Sequence, residues 1–298
     1  MLEAWLVAAL AIGALNFMTP VLLATIGEII TEKSGVVNIG IEGVINLTAF
    51  IATVVAFYTG DPWVALTTAM IAGLGAGLAH GVIAAYLRGD QIVAGIGFNM
   101  IAYGVTVLGL VALWGQYGSS PSIPTLPSIS IGRGLPLSPL AIIAVIIAVS
   151  TWYFLTKTDT GLRLQACGEE PRAAEAMGVN VLLVRTLATG LGGLLAGLGG
   201  GYLALTLGSF TRGIAAGRGF IALANVAFSG WNPLIAILGA YVFGFLEAVA
   251  ITLQSIPALQ EYSYLVNTLP YLGTLLVIAG FRWRARMPRA LAKPYIKE

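Results

Sequence analysis

Three glutamates, Glu28, Glu42 and Glu247, lie within or at the edges of long uncharged apolar runs. A charge facing lipid there would cost several kcal/mol, so these carboxylates must face protein or water. Four amides, Asn38, Asn46, Asn99 and Asn225, add donors and acceptors in the same kind of surroundings. Two chemistries fit this set. The side chains can line a path for a polar solute, or they can cap broken helices and hold exposed backbone groups, as short polar side chains do. Glu28 and Glu42 flank the break Gly35-Val36-Val37-Asn38-Ile39-Gly40, which favours capping for them, while Glu247 keeps both readings. His80, the only histidine, has no carboxylate at helical spacing in its span to complete a proton relay, so packing or hydrogen bonding is its expected role. Ser209 and Ser229 stand in Gly-Ser-Phe and Phe-Ser-Gly contexts, but nothing pairs either with His80 as an intramembrane protease dyad would require. The sequence contains no GxxxxGK[ST] phosphate loop, so energy for any active process must come from another subunit or an ion gradient. Cys167, the single cysteine, can form no internal disulfide and has no metal-site partner, and no metal or cofactor is expected in this chain.

The elements that must position these residues follow from composition. Of 298 residues, 58% are hydrophobic and 9% charged, which excludes a water-soluble enzyme. Uncharged windows at 4–27, 43–60, 62–87, 134–156, 186–211 and 262–281 are each near or above the roughly 20 helical residues that cross a bilayer core. The expected fold class is an all-α polytopic membrane protein. Nine crossings are predicted, at about 4–28, 39–58, 62–87, 91–113, 138–156, 184–208, 217–230, 232–253 and 263–281. The stretch 217–230 is too short for one straight crossing, and Trp231-Asn232-Pro233 separates it from the next apolar run, which points to a broken or re-entrant arrangement. Placing the N-terminus outside puts Lys33, Arg88, four basic residues of 157–185 and six of 282–297 in the cytoplasm, against Arg133, Arg212 and Arg218 outside. That is the positive-inside pattern. The net charge of +2 is therefore a matter of topology and implies no nucleic-acid partner. MLEAWLVAAL lacks a basic n-region and cleavage site, so residues 4–27 read as a retained first span.

The chain reads as a single transmembrane domain over 1–298, with a first half 1–114, an external loop 115–137, a second half 138–281 and a basic cytoplasmic tail 282–298. Loop 115–137 is rich in Pro, Gly and Ser. Segment 157–185 holds eight charges, and within it Pro171–Met177 has good helix formers, a proline suited to the first turn and Gly178 at the stop. A short cytoplasmic helix is expected there. Glycine-marked breaks at 35–40 and at Gly217-Arg218-Gly219-Phe220 approach from opposite sides on this topology, the signature of a transporter with inverted repeats. Gly73–Gly77 and Gly193–Gly197 are small-xxx-small pairs that let helices touch.

The run Thr19-Pro20, Gly27-Glu28 and Glu32-Lys33-Ser34 through Glu42-Gly43 resembles the opening signature of ABC-importer permeases for nucleosides and simple sugars, in the branched-chain amino-acid permease superfamily. The similarity continues through Gly161-Leu162-Arg163, Gly168 to Gly178, Gly217 to Ala224, Trp231-Asn232-Pro233 and Leu269-Pro270-Tyr271. Lys33, Glu170 and Ser229-Gly230 depart from the usual Arg, Asn and Gly-basic residues. The resemblance implies a permease with a second homologous permease as partner, a heterodimer being favoured and a homodimer the other option. It further implies cytoplasmic ATPases that bind ATP and Mg, and an extracytoplasmic solute-binding lipoprotein. On this reading Gly168, Glu169, Pro171, Arg172, Ala174, Glu175 and Gly178 form the coupling contact with an ATPase, and Glu28, Asn38, Glu42, Asn99, Asn225 and Glu247 line the path of a nucleoside across a prokaryotic plasma membrane. A pentose or similar sugar is the alternative solute. An ion-coupled secondary carrier is the competing class, using Glu28, Glu42, Glu247 or His80 as proton sites, but the charged 157–185 loop is superfluous to it.

Overall fold

A computed structural model describes residues 2–131, 134–280 and 286–296. Arg133 and the tail residues Arg282, Arg284 and Lys297 lie outside the described residues, and with them part of the basic set that assigns the topology. The helices are α1 Leu2–Lys33, α2 Ile41–Thr59, α3 Pro62–Ala85 and α4 Gln91–Trp114, then a two-stranded hairpin of β1 Ile129–Ile131 and β2 Leu135–Leu137. They continue with α5 Pro139–Lys157, α6 Asp159–Glu169, α7 Pro171–Ala176, α8 Val181–Leu207, α9 Arg218–Ser229, α10 Pro233–Gln254, α11 Ser263–Val266 and α12 Leu269–Gly280. Local chemistry sets most boundaries. Asp61, Asp90, Ser138, Asn180 and Asn232 each accept a backbone N–H as N-cap, and Gly60, Gly115, Gly208 and Gly230 close helices in the left-handed region.

Among the described residues seven helices, α1, α2, α3, α4, α5, α8 and α10, are long and apolar enough to cross a membrane. At 1.5 Å per residue the 12 residues of α9 span about 18 Å, which falls short of a core about 30 Å thick, as the sequence led us to expect. The segment 157–185 differs from expectation. It holds two helices rather than one, because the Thr158 hydroxyl caps Gly161 N at 3.1 Å and starts α6 ahead of the foreseen α7.

Packing at the centre is backbone on backbone. Along the seam of α3 with α8, a Cβ on Gly77 would sit 3.0 Å from Gly193 Cα, and one on Gly81 would sit 2.8 Å from Thr186 Cα. Side chains there would force the helices apart, so glycine is the residue the geometry requires. α8 also lies against α1 and α2, and α1 runs beside α10, where Gly244 admits Ala14 and Met18. Pro20, inside α1, has no N–H for the carbonyl of Asn16, and the Tyr202 hydroxyl on α8 donates to that carbonyl at 3.1 Å. Loop 115–137 is pinned across the end of α8 by Ser120 N to Phe210 O at 2.8 Å, Ile123 N to Gly208 O at 2.9 Å and Leu126 N to Leu205 O at 3.1 Å.

Cys167 is fully buried in α6. Burial pushes its thiol up to about 11, against a smaller opposing pull from the Arg185 guanidinium.

The packing is testable by substitution. Gly193→Ala should lower the unfolding temperature of the detergent-purified protein, overpacking of this kind costing about 1–3 kcal/mol. Gly75→Ala, at a position with nothing within 4 Å, should leave that temperature unchanged or raise it. Cys167 should resist a thiol reagent even in lysed cells at pH 8, where about one thiol in a thousand is ionised, and should react faster as the pH rises toward 11. Topology is therefore read from introduced cysteines on a Cys167→Ala background. Ser128→Cys should label in intact cells and Met177→Cys only after permeabilisation, and the reverse result would invert the assigned orientation.

Candidate functional site

Between α1 and α2 the chain runs without helix through the bundle, and its residues are buried or half-buried, so its peptides need partners within the protein. Side chains take up those peptides one by one. Val37 N–H donates to Gln91 Oε1 at 2.8 Å, and the Val37 carbonyl lies 2.9 Å from His80 Nε2, which must carry the proton there. Asn38 N–H donates to Glu28 Oε1 at 2.7 Å, and Gly40 N–H to Asn38 Oδ1 at 3.0 Å. Asn99 clamps the far end, donating to Ile39 O at 3.0 Å and accepting from Gly43 N–H at 2.7 Å. Glu28, Asn38 and His80 are buried and Asn99 is half-buried.

The second break meets the first at Glu42. Its Oε1 accepts from Gly217 N–H and its Oε2 from Gly219 N–H, both at 2.7 Å, so one carboxylate caps the start of α9 from the start of α2. Two helix N-termini thus converge on one anion, the sign their dipoles favour. Gly219 lets them approach, since a Cβ there would lie 2.6 Å from Glu42 Cα.

Next to this junction Arg218 forms an ion pair with Glu247 of α10, both side chains nearly buried. Arg218, counted among the external basic residues in the sequence, is thus drawn into the bundle by a carboxylate 29 positions away. The Tyr271 hydroxyl of α12 donates to Ala216 O beside it. A pocket of about 120 Å³ lies against the pair, lined also by Asn16, Pro20, Tyr202 and Thr206. Ligand pockets usually start at about 300 Å³, so passage of a solute here requires the surrounding helices to part.

Asn225 lies further along α9, donating to Thr25 Oγ1 at 3.2 Å and Ala236 O at 2.9 Å, while its Oδ1 is buried without a partner. Asn46 donates to Thr106 Oγ1 at 3.0 Å. The six path residues named from the sequence therefore divide. Glu28, Asn38, Asn99 and Glu42 gather around the first break, Glu247 joins them through Arg218, and Asn225 stands apart.

Comparison with known proteins gives the family. The family described as branched-chain amino acid transport system / permease component matches residues 10–275. The chain belongs to that permease family. It is 34% identical to the guanosine ABC transporter permease protein NupQ of Bacillus subtilis, over 96% of this chain and 95% of that one. It is 33% identical to the nucleoside ABC transporter permease protein NupC of Lactococcus lactis, covering 95% of each. A putative glucose ABC transporter permease protein, TsgC13 of Haloferax volcanii, is 32% identical over 94% of this chain and 95% of its own length. No solved structure matches the chain.

In the segment between α5 and α8, α7 forms as expected: Pro171 opens it, and Gly178 lies just beyond its end at φ +85°. Glu169, Glu170, Arg172 and Met177 are exposed. Ala174 is buried, packing with Cys167, Val181 and Tyr295, and so supports the helix from beneath. Gly168 is also buried, held against the end of α1, where a Cβ would come 3.0 Å from Gly35 N. Sequence reading passed over Glu32, whose Oε2 accepts from Trp231 Nε1 at 2.6 Å, and the pairing of Arg218. Intramembrane charge was the available signal for both.

The ion pair supplies the test of this site. Arg218→Met or Glu247→Met alone leaves a buried charge unmatched and should destabilise the purified permease by about 3–5 kcal/mol. The double replacement should recover most of that loss, and a thermal-unfolding double-mutant cycle reads the difference.

Proposed function

We propose that this chain is the membrane-spanning subunit of an ATP-driven importer for nucleosides, and that the solute passes where the segments 35–43 and 217–225 meet. The observation that carries the path is the pair of bonds from Gly217 and Gly219 to Glu42, which joins two chain breaks inside the bundle. Breaks entered from opposite ends, one after α1 and one after α8, suit inverted halves; α9 with the segment preceding it would complete one further crossing and α11 with α12 another, which added to the seven long helices makes nine. Glu28, Asn38 and Asn99 hold the first break in shape, Glu42 and Glu247 border the passage where the breaks meet, and Asn225 would border it further along α9. Parting of α2, α9 and α10 would free their hydrogen-bonding groups for hydroxyls or a base edge.

Electrostatics supports an uncharged solute. Arg218 is already matched by Glu247 and stands beside Glu42, so among the described residues this pair leaves no spare cation at the junction for an anionic or zwitterionic solute. Full-length similarity to relatives named for guanosine and nucleosides selects the nucleoside. A sugar is the second reading, favoured by the relative named for glucose.

The importer would comprise this subunit and a second, homologous permease, cytoplasmic ATPases that hold ATP and Mg, and an extracytoplasmic solute-binding lipoprotein. The exposed residues of 168–178 would meet the ATPase. The N-terminus lies outside and the tail in the cytoplasm, in a prokaryotic plasma membrane.

Vesicles holding the full complex should take up labelled guanosine, adenosine or uridine when ATP is supplied, and should not take up leucine. Asn225→Ala should lower the rate more than the apparent affinity, because the binding protein has already selected the solute. Uptake of ribose or glucose without any nucleoside would establish the sugar reading instead.

A further inference from the structure

Arg185 lies in the first turns of α8 with no exposed surface. Its guanidinium donates to backbone carbonyls of three separate segments: Nε to Ser34 at 3.1 Å, Nη2 to Cys167 at 3.1 Å and Nη1 to Lys293 at 2.9 Å. Ser34 comes directly after the end of α1 and Cys167 is in the last turn of α6, so two of these carbonyls belong to helix C-termini, whose negative ends suit a cation. The fork of a guanidinium, with five donors in fixed directions, can hold three such segments at once.

The same segments are sewn together around it. Ala290 N–H donates to Gly168 O at 2.8 Å and Ala292 N–H to Gly35 O at 3.2 Å. Tyr295 packs on Cys167 and Ala174, and its hydroxyl donates to the Glu175 carboxylate of α7. The strap 289–295 therefore reaches from α7 to Gly35, the first residue of the break that Glu28, His80 and Asn99 hold. Displacing α7 alone would break the Tyr295–Glu175 bond, and displacing α6 or the strap along with it would strip hydrogen bonds from a buried charge, which is costlier than moving the knot as a body.

We propose that Arg185 is the positioning residue that carries a displacement of α7 into the Gly35–Gly40 break, with residues 289–295 as the strap between them. This rests on the reading that α7 meets an ATPase. When the ATPase shifts α7, Tyr295 and Lys293 move with it, Arg185 draws Ser34 and Gly35 along, and the break changes its level against α2 and α9. The residue acts through the backbone it binds and touches no solute.

The test uses the full importer complex in lipid vesicles, with wild type, Arg185→Met, Arg185→Lys and Tyr295→Phe. Two quantities are read: ATP hydrolysed per nucleoside imported, and the ATP-dependent change in hydrogen exchange of the amides of 36–40, which needs no solute. Arg185→Met should assemble with the ATPase, raise the ATP cost per solute about tenfold and abolish the exchange change. Arg185→Lys should recover part of both. Tyr295→Phe leaves every carbonyl contact of Arg185 in place and should give a smaller shift in the same direction, and it decides the matter if Arg185→Met does not assemble. Wild-type ratios and a wild-type exchange response in the assembled variants would overturn the proposal, as would a parallel fall of hydrolysis and import at constant ratio. A wild-type complex that imports no nucleoside yet shows the ATP-dependent exchange change would refute the nucleoside reading and leave the transmission route standing.

Discussion

A buried peptide group must find its partner within the protein, and the chain meets that rule at 34–40 and again just before α9. The interruptions dictate the surrounding sequence. Val37, Asn38, Ile39, Gly40 and Gly43 each place a backbone group on a side chain, and those side chains come from α1, α3 and α4 as well as from the break itself. The second interruption is held by Glu42 from the first. Polar residues that look expensive in an apolar chain thus offset a larger cost, that of bare amides and carbonyls. The extended segment is over-determined as a result, and a displacement of it must carry Glu28, His80 and Asn99 along.

Charge is handled by the same economy of partners. Arg218 meets a carboxylate, whereas Arg185 meets three carbonyls and keeps its charge. The first arrangement sits at the junction of the breaks and the second at the ends of α1 and α6. Between them runs α8, whose glycines bring its backbone against α3 on one side and against Gly27 of α1 on another. A rod so closely packed bends little, so Arg185 near its start and the pocket-lining Tyr202 and Thr206 near its end keep a fixed separation along it.

Much of this architecture could be read from local signals. Apolar length located the long helices, Pro171 and Gly178 bracketed α7, and the glycine runs marked both breaks and the α3–α8 seam. Glu28 and Glu42 were recognisable as capping groups because they flank a break, although their partners were not. The sequence hid pairing at long range. Trp231 reaches Glu32 across 199 positions and Gly217 reaches Glu42 across 175, and no periodicity encodes such contacts. α6 was hidden for another reason: Gly161 and Gly168 look like turn residues, yet each is small because a neighbouring backbone lies where its side chain would be. The burial of Cys167 results from that same close approach.

The glycine seam has a bearing on how such permeases diverge and can be recombined. Its two sides lie on α3 and α8, on either side of the loop 115–137 that divides the sequence into halves. The sequence boundary is therefore not a mechanical one, because α8 is interlocked with the first-half helices α2 and α3. A chimera of two related permeases spliced within that loop would inherit one face of the seam from each parent, and a single methyl out of step on either face would wedge it open. Compatible exchange requires the pair α3 and α8 to travel together, so the natural cassette of this fold is discontinuous in sequence.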